Sequence, residues 1–164
     1  RQGPRPWSVK DSFHDLDRHH LGFAPVIEAQ WFGGIPKAEG PAAEKWDYVH
    51  TAEGLSRWVE AWGEDADASP FKPVLLADPR SRFWQLHRNG AIAAGAITFV
   101  SGPVIGLSNC FALPTGTAFS HGLMTAIATA FPGLPAVLWS DGQVMELEAG
   151  GLRPLGPLRV WIAD

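Results

Sequence analysis

The chain has 164 residues, of which 46% are hydrophobic and eight are Trp, with a formal net charge of −4. This size and composition fit one globular domain with a core of its own and exclude a disordered chain. No Lys/Arg run stands out, which argues against a broad nucleic-acid footprint, and no stretch approaches the roughly 18 uninterrupted apolar residues of a transmembrane helix. Cys110 is the sole cysteine, which excludes an internal disulfide and suits a reducing, cytoplasmic setting. The chain begins without Met or an apolar signal core, as a trimmed chain or a piece of a longer protein would.

Residues 1–22 are rich in Pro, charge and His and read as an arm, with a short helix expected around Val9–Arg18. The segment 24–35 reads as a strand closed by Gly33-Gly34, and 46–50 as a short strand. Thr51 is a good N-cap for the helix that follows. There Leu55, Trp58, Val59 and Trp62 fall at i, i+3, i+4 and i+7, one apolar face. "PVLLAD" (73–78) reads as a short buried strand or the beginning of one.

The strongest β signal lies between 82 and 113. "RFWQLHR" and "AIAAGAITFV" flank Asn89-Gly90, the preferred pair for a type I′ turn because both positions take positive φ. A third strand, 104–113, completes an antiparallel meander. A helix over about 120–131 follows, stopped by Pro132-Gly133. "AVLWS" (136–140) has the continuous apolar character of a buried parallel strand. A helix over 141–150 and two short strands around Gly156-Pro157 close the chain. The meander feeding a β-α-β crossover predicts a mixed, mostly antiparallel sheet flanked by helices, with strand 104–113 parallel to 136–140.

This order, together with "ELEAGGLRPLGPLRVW" and "LPTGTAFSHGLM", resembles the GNAT superfamily of acyl-CoA-dependent N-acyltransferases. Residues 82–162 carry the resemblance, within a single domain over 23–164. It implies a GNAT-like α+β fold and transfer of an acetyl group from acetyl-CoA, or another acyl-CoA, to a small-molecule primary amine by direct attack. It also implies that pantetheine lies along the edge of the strand before the loop, here Asn109, Cys110, Phe111, Ala112 and Leu113. Pyrophosphate is then held by backbone N–H groups at a helix N-terminus. Registered on Pro114, the loop places Thr117 and Ser120 where the family pattern has Arg and Gly, while Gly122 matches. The backbone of Thr117, Ala118, Phe119, Ser120, His121 and Gly122 would form the cradle, with hydroxyls from Thr115, Thr117 and Ser120. The family's thiolate-protonating Tyr position is Leu147.

Several side chains carry rival readings. Glu28 is the carboxylate best placed for a general base if its strand points it inward. Trp31, beside Gly33-Gly34, is read as lining the acceptor pocket. Cys110 reads as a buried, inert thiol rather than a nucleophile activated by His121. His14, Asp15, Asp17, His19 and His20 lack a known metal spacing and read as a solvated segment, so no metal site is expected. Trp58 and Trp62 read as core, and His87 as exposed. Two other functions fit the same sequence: a catalytically silent GNAT-like domain that binds CoA or another protein, and an apolar small-ligand module built on the Trp-rich half. An open sheet edge or the C-terminal strands are the surfaces expected to support a homodimer, and no membrane or nucleic-acid partner is expected.

Overall fold

A computed structural model of the chain describes residues 7–38, 45–63, 65–66, 69–113 and 121–163, the side chain of His121 apart. Among these residues eight strands form a single sheet: β1 (Ser8–Asp11), β2 (Phe23–Gly34), β3 (Trp46–Tyr48), β4 (Ser81–Arg88), β5 (Ala91–Ser101), β6 (Val104–Ala112), β7 (Ala136–Ser140) and β8 (Arg153–Ala163). Among the described residues three α-helices accompany them: α1 (Ala52–Trp62), α2 (His121–Ala130) and α3 (Val144–Ala149). The strand order is β1-β8-β2-β7-β6-β5-β4-β3. Only β6 and β7 run parallel; every other neighbouring pair is antiparallel. The mixed, mostly antiparallel α+β fold expected from the sequence is therefore present.

Side-chain alternation along β5 divides the core in two. Ala94 and Ala96 face α2 and α3, and pack with Trp84, Ile105, Leu123, Ile127, Leu138 and Leu147. Ile97 faces the other way, into a cluster with Leu55, Trp58, Val59 and Phe83 beneath α1. The local signals act as expected. Thr51 Oγ1 accepts the Gly54 N–H at 3.0 Å and caps α1, and Gly63 ends it with φ of 98°. Asn89 and Gly90 take φ of 52° and 81° in the β4–β5 turn. Gly95 lets α1 approach the sheet closely: a Cβ there would lie 2.5 Å from Trp58 Nε1 and 2.4 Å from the Phe111 ring.

Three expectations are corrected. Residues 9–18 are not helical: Ser8–Asp11 form β1 on the edge of β8. The Asp11 carboxylate then accepts N–H bonds from Phe13 and Leu16, at 3.3 and 2.9 Å, and satisfies the turn in place of a helical ladder. Pro73–Ala77 is a 3-10 helix with Pro at its first turn, where a missing N–H is tolerated, and not a strand. Residues 153–163 form one strand, because β2 pairs with it from Phe23↔Ala163 to Gly33↔Arg153 and a register shift between Gly156 and Pro154 absorbs Leu155. Pro154 and Pro157 lie beyond the residues that β1 covers, where β8 has a strand partner on one side only among the described residues, the edge setting in which Pro is tolerated.

Candidate functional site

The sheet parts at its parallel seam. β6 and β7 share only two paired positions, Ile105↔Ala136 and Gly106↔Val137. Beyond Gly106, β6 continues on β5 up to Ala112 while β7 continues on β2 up to Ser140. From Leu107 to Ala112 one edge of β6 thus has no strand partner among the described residues. Unpaired strand edges offer a row of N–H and C=O groups to whatever lies alongside. A cavity of about 450 Å³ fills the gap, lined by Ser108, Asn109 and Cys110 on one wall and Trp139, Ser140 and Asp141 on the other.

A β-bulge sits on the first wall. The β5–β6 register shifts between Gly95↔Phe111 and Ile97↔Ser108, so Asn109 and Cys110 stand opposite Ala96 alone. Asn109 has φ of 49°, a left-handed conformation that Asn tolerates better than most residues. Bulges of this kind break the ladder locally and re-aim backbone groups. Cys110 borders the cavity, but burial of its thiol pushes the pKa up to about 12, so it stays protonated near neutral pH. Its Sγ lies 3.7 Å from the Ser108 carbonyl.

The second wall is aromatic and charged. Trp31 and Trp139 are cross-strand partners on β2 and β7 and so share a face of the sheet. Lys10 lines the cavity from β1. Its Nζ lies 5.1 Å from the Trp139 ring centroid and 6.0 Å from that of Trp31, within cation–π range. Lys10 and Asp141 are the charged side chains among the described cavity residues. The Ser140 hydroxyl is engaged in the turn beyond β7, donating to the Gly142 carbonyl at 2.7 Å and accepting the Gly142 N–H at 3.2 Å.

Of the residues singled out from sequence, Asn109 and Cys110 meet at the cavity. Phe111 turns to the opposite face and packs edge-on against Trp58, with ring centroids 5.2 Å apart. Ala112 packs against the core on the α2 side, and the Leu113 N–H donates to the Ala93 carbonyl at 2.7 Å. Gly122 lies in the first turn of α2. Pro114, Thr115, Thr117, Ala118, Phe119, Ser120 and the side chain of His121 lie outside the described residues. Trp31 stands beside Trp139 rather than on the cavity wall itself. Leu147 is fully buried in the core, so no proton donor occupies that position.

Glu28 does not line the cavity. It lies on β2 opposite Arg159 of β8, whose Nε donates to it at 2.6 Å, with His14 Nε2 2.8 Å from its other oxygen. Partial desolvation raises its pKa, but the hydrogen bonds and charges of Arg159 and His14 outweigh that and hold it below the usual carboxylate range. The carboxylate serves an ion pair that joins β2 to β8. His19 packs edge-on against Trp161, at 5.0 Å. Among the described residues, no group of three or more His, Cys, Asp or Glu side chains is placed to hold a metal. Likewise, none of the described helices is long and apolar enough to cross a membrane.

Sequence reasoning missed Lys10, Trp139 and Asp141. A period-2 signal was present for Trp139, since alternation in Ala136–Ser140 sends it to the face opposite Leu138. The place of Lys10 depends on β1 docking to β8, which no local pattern encodes.

No protein-family model matches the chain, and no curated protein does. Solved structures do. A GCN5-related N-acetyltransferase from Kribbella flavida superposes with a TM-score of 0.63 at 18% identity, covering 89% of this chain and 62% of its own. A GCN5-related N-acetyltransferase from Sphaerobacter thermophilus gives 0.59 at 12% identity, covering 96% of this chain and 59% of its own. A functionally unknown conserved protein from Staphylococcus epidermidis gives 0.68 at 11% identity, covering 96% of this chain and 73% of its own. The chain thus spans about three-fifths of the two named acetyltransferases. These superpositions establish the architecture: the chain has the fold of the GCN5-related N-acetyltransferases.

Proposed function

We propose that the chain binds an acyl-CoA in the cleft between β6 and β7 and transfers its acyl group to an amine. The observation that carries this reading is the open edge of β6 beside a cavity of about 450 Å³. A pantetheine arm is an extended amide chain, and it can hydrogen-bond along residues 107–112 as an added strand would. The bulge at Asn109–Cys110 frees backbone groups from the ladder at mid-cleft, where a thioester carbonyl needs donors as its oxygen gains charge. In the transfer the amine nitrogen bonds to the acyl carbon, the C–S bond breaks with its electron pair going to sulfur, and the amine proton leaves. Water in the open cleft takes that proton and returns one to the thiolate. Cys110, protonated and with its pKa near 12, is not the nucleophile, which favours direct attack over a covalent intermediate.

A second reading is an acyl-CoA-binding domain without transfer. Leu147, fully buried where a thiolate-protonating Tyr is expected, favours it. Thermal unfolding with and without acetyl-CoA tests the binding shared by both readings. An acyl-CoA at a hundred times its Kd should add about 2.7 kcal/mol of stability. No movement of the melting temperature at millimolar acetyl-CoA would sink both. Release of free thiol in an amine panel separates them: the transfer reading expects amine-dependent release, the silent one none.

A further inference from the structure

We infer that the Lys10–Trp139–Asp141 wall is a recognition site for a small zwitterion, an amine that also carries a carboxylate and an apolar body, in the manner of an aromatic or large aliphatic α-amino acid. The wall combines three chemistries within one cavity: a cation, an anion and an aromatic face. Lys10 approaches the ring faces of both Trp139 and Trp31. Among the described residues its ammonium makes no hydrogen bond or ion pair, so its three N–H donors remain open to an incoming carboxylate. Asp141, exposed at the end of β7, makes no ion pair with Lys10, and the two opposite charges stay apart across the same cavity. Each is therefore available for the complementary end of a ligand. Trp139 lines the same cavity, half-exposed beside Trp31, and supplies its apolar surface.

Charge decides which ligands fit. A diamine or polyamine would meet Lys10 with like charge, and an anion without an amine would meet Asp141 the same way; the zwitterion alone matches both. The role of such a ligand as acyl acceptor rests on the transfer reading above, but its binding does not.

The test is direct binding, without acyl-CoA, of three probes sharing a benzyl group: L-phenylalanine, phenethylamine and 3-phenylpropanoate. Phenylalanine is expected to bind at least about fivefold tighter than either single-charge probe, the scale of an exposed ion pair. Lys10→Glu should reverse the order of phenylalanine and phenethylamine. Lys10→Met, which keeps the apolar stem, should erase the difference, and it serves if Lys10→Glu does not fold. Asp141→Asn should weaken phenylalanine and leave 3-phenylpropanoate unweakened. Equal binding of phenylalanine and phenethylamine, no binding of any probe at millimolar concentration, or a preference untouched by the Lys10 variants would each overturn the inference. Acetyl-CoA binding measured on the same protein keeps the two proposals apart. Its loss, with the charge preference intact, removes transfer and leaves this site standing.

Discussion

Two groups of aromatic residues lie on the same face of this sheet and have opposite fates. Beneath α1, Trp58 is fully buried, its indole N–H donates to the Trp84 carbonyl at 2.7 Å, and the rings of Phe83 and Phe111 meet it edge-on at 5.4 and 5.2 Å. Over β7 and β2, Trp31 and Trp139 both stay half-exposed among the described residues, with the Lys10 ammonium above them. The first group fills space and satisfies its polar atom, which is what a core requires. The second leaves apolar surface and a charge without an ion pair among the described residues together beside a cavity, which is what a ligand site requires. One residue type serves stability in one half of the molecule and recognition in the other, and the difference lies in what covers it.

Substitutions can break this contrast. Trp58→Ala removes the centre of the α1 cluster and leaves a cavity, so it should cost about 3–5 kcal/mol in denaturant unfolding. Gly95→Ala should follow at about 1–3 kcal/mol, since the new methyl overlaps Trp58 and Phe111 with little room to shift. Trp139→Ala should cost about 1 kcal/mol, in keeping with partial exposure, while weakening phenylalanine binding more than any α1-cluster variant that still folds. A Trp139→Ala variant as unstable as Trp58→Ala would mean that both groups are core.

The smallest expected effect concerns pH and the β1-β8-β2 wing. Glu28 and Asp11 both have folded-state pKa values below their ordinary ones. Desolvation opposes the shift in each, but Arg159 and His14 outweigh it for Glu28, and the backbone N–H groups of Leu16 and Phe13 do so for Asp11. A depressed carboxylate pKa contributes stability that is fully present above the unfolded-state value of about 4 and is lost as pH falls through the lower folded value. Amide exchange in residues 8–11 and 159–162 should therefore quicken below about pH 4, ahead of residues 83–97 beneath α1. In Glu28→Gln the acid loss should be smaller. Uniform quickening across both halves would show that the wing is not the acid-sensitive part.

Legibility followed the range of the interaction. The α1 helix, its Thr51 cap, the Asn89-Gly90 turn and the meander are set by neighbours in sequence, and all were readable. Strand β7 was readable too, since four consecutive apolar residues and a serine between turn signals have few other solutions. The wing was not: β1 exists because β8 offers an edge, and Glu28 meets Arg159 131 residues away. Without that pairing, Glu28 looked like an inward carboxylate; with it, the charge is spent on an ion pair. Half of the cleft was legible for the same reason. Asn109 and Cys110 belong to a strand named by its own pattern, whereas Lys10 and Asp141 reach the cavity through sheet order.

The central claim is that the unpaired edge of β6 receives an acyl-CoA. Amide hydrogen exchange with and without acetyl-CoA tests it most directly, because it reads the proposed contact itself. Binding along the edge should slow exchange in residues 107–112, with little change in residues 83–88 of β4. Saturating acetyl-CoA that leaves 107–112 unprotected, or that protects another part of the sheet instead, would contradict it.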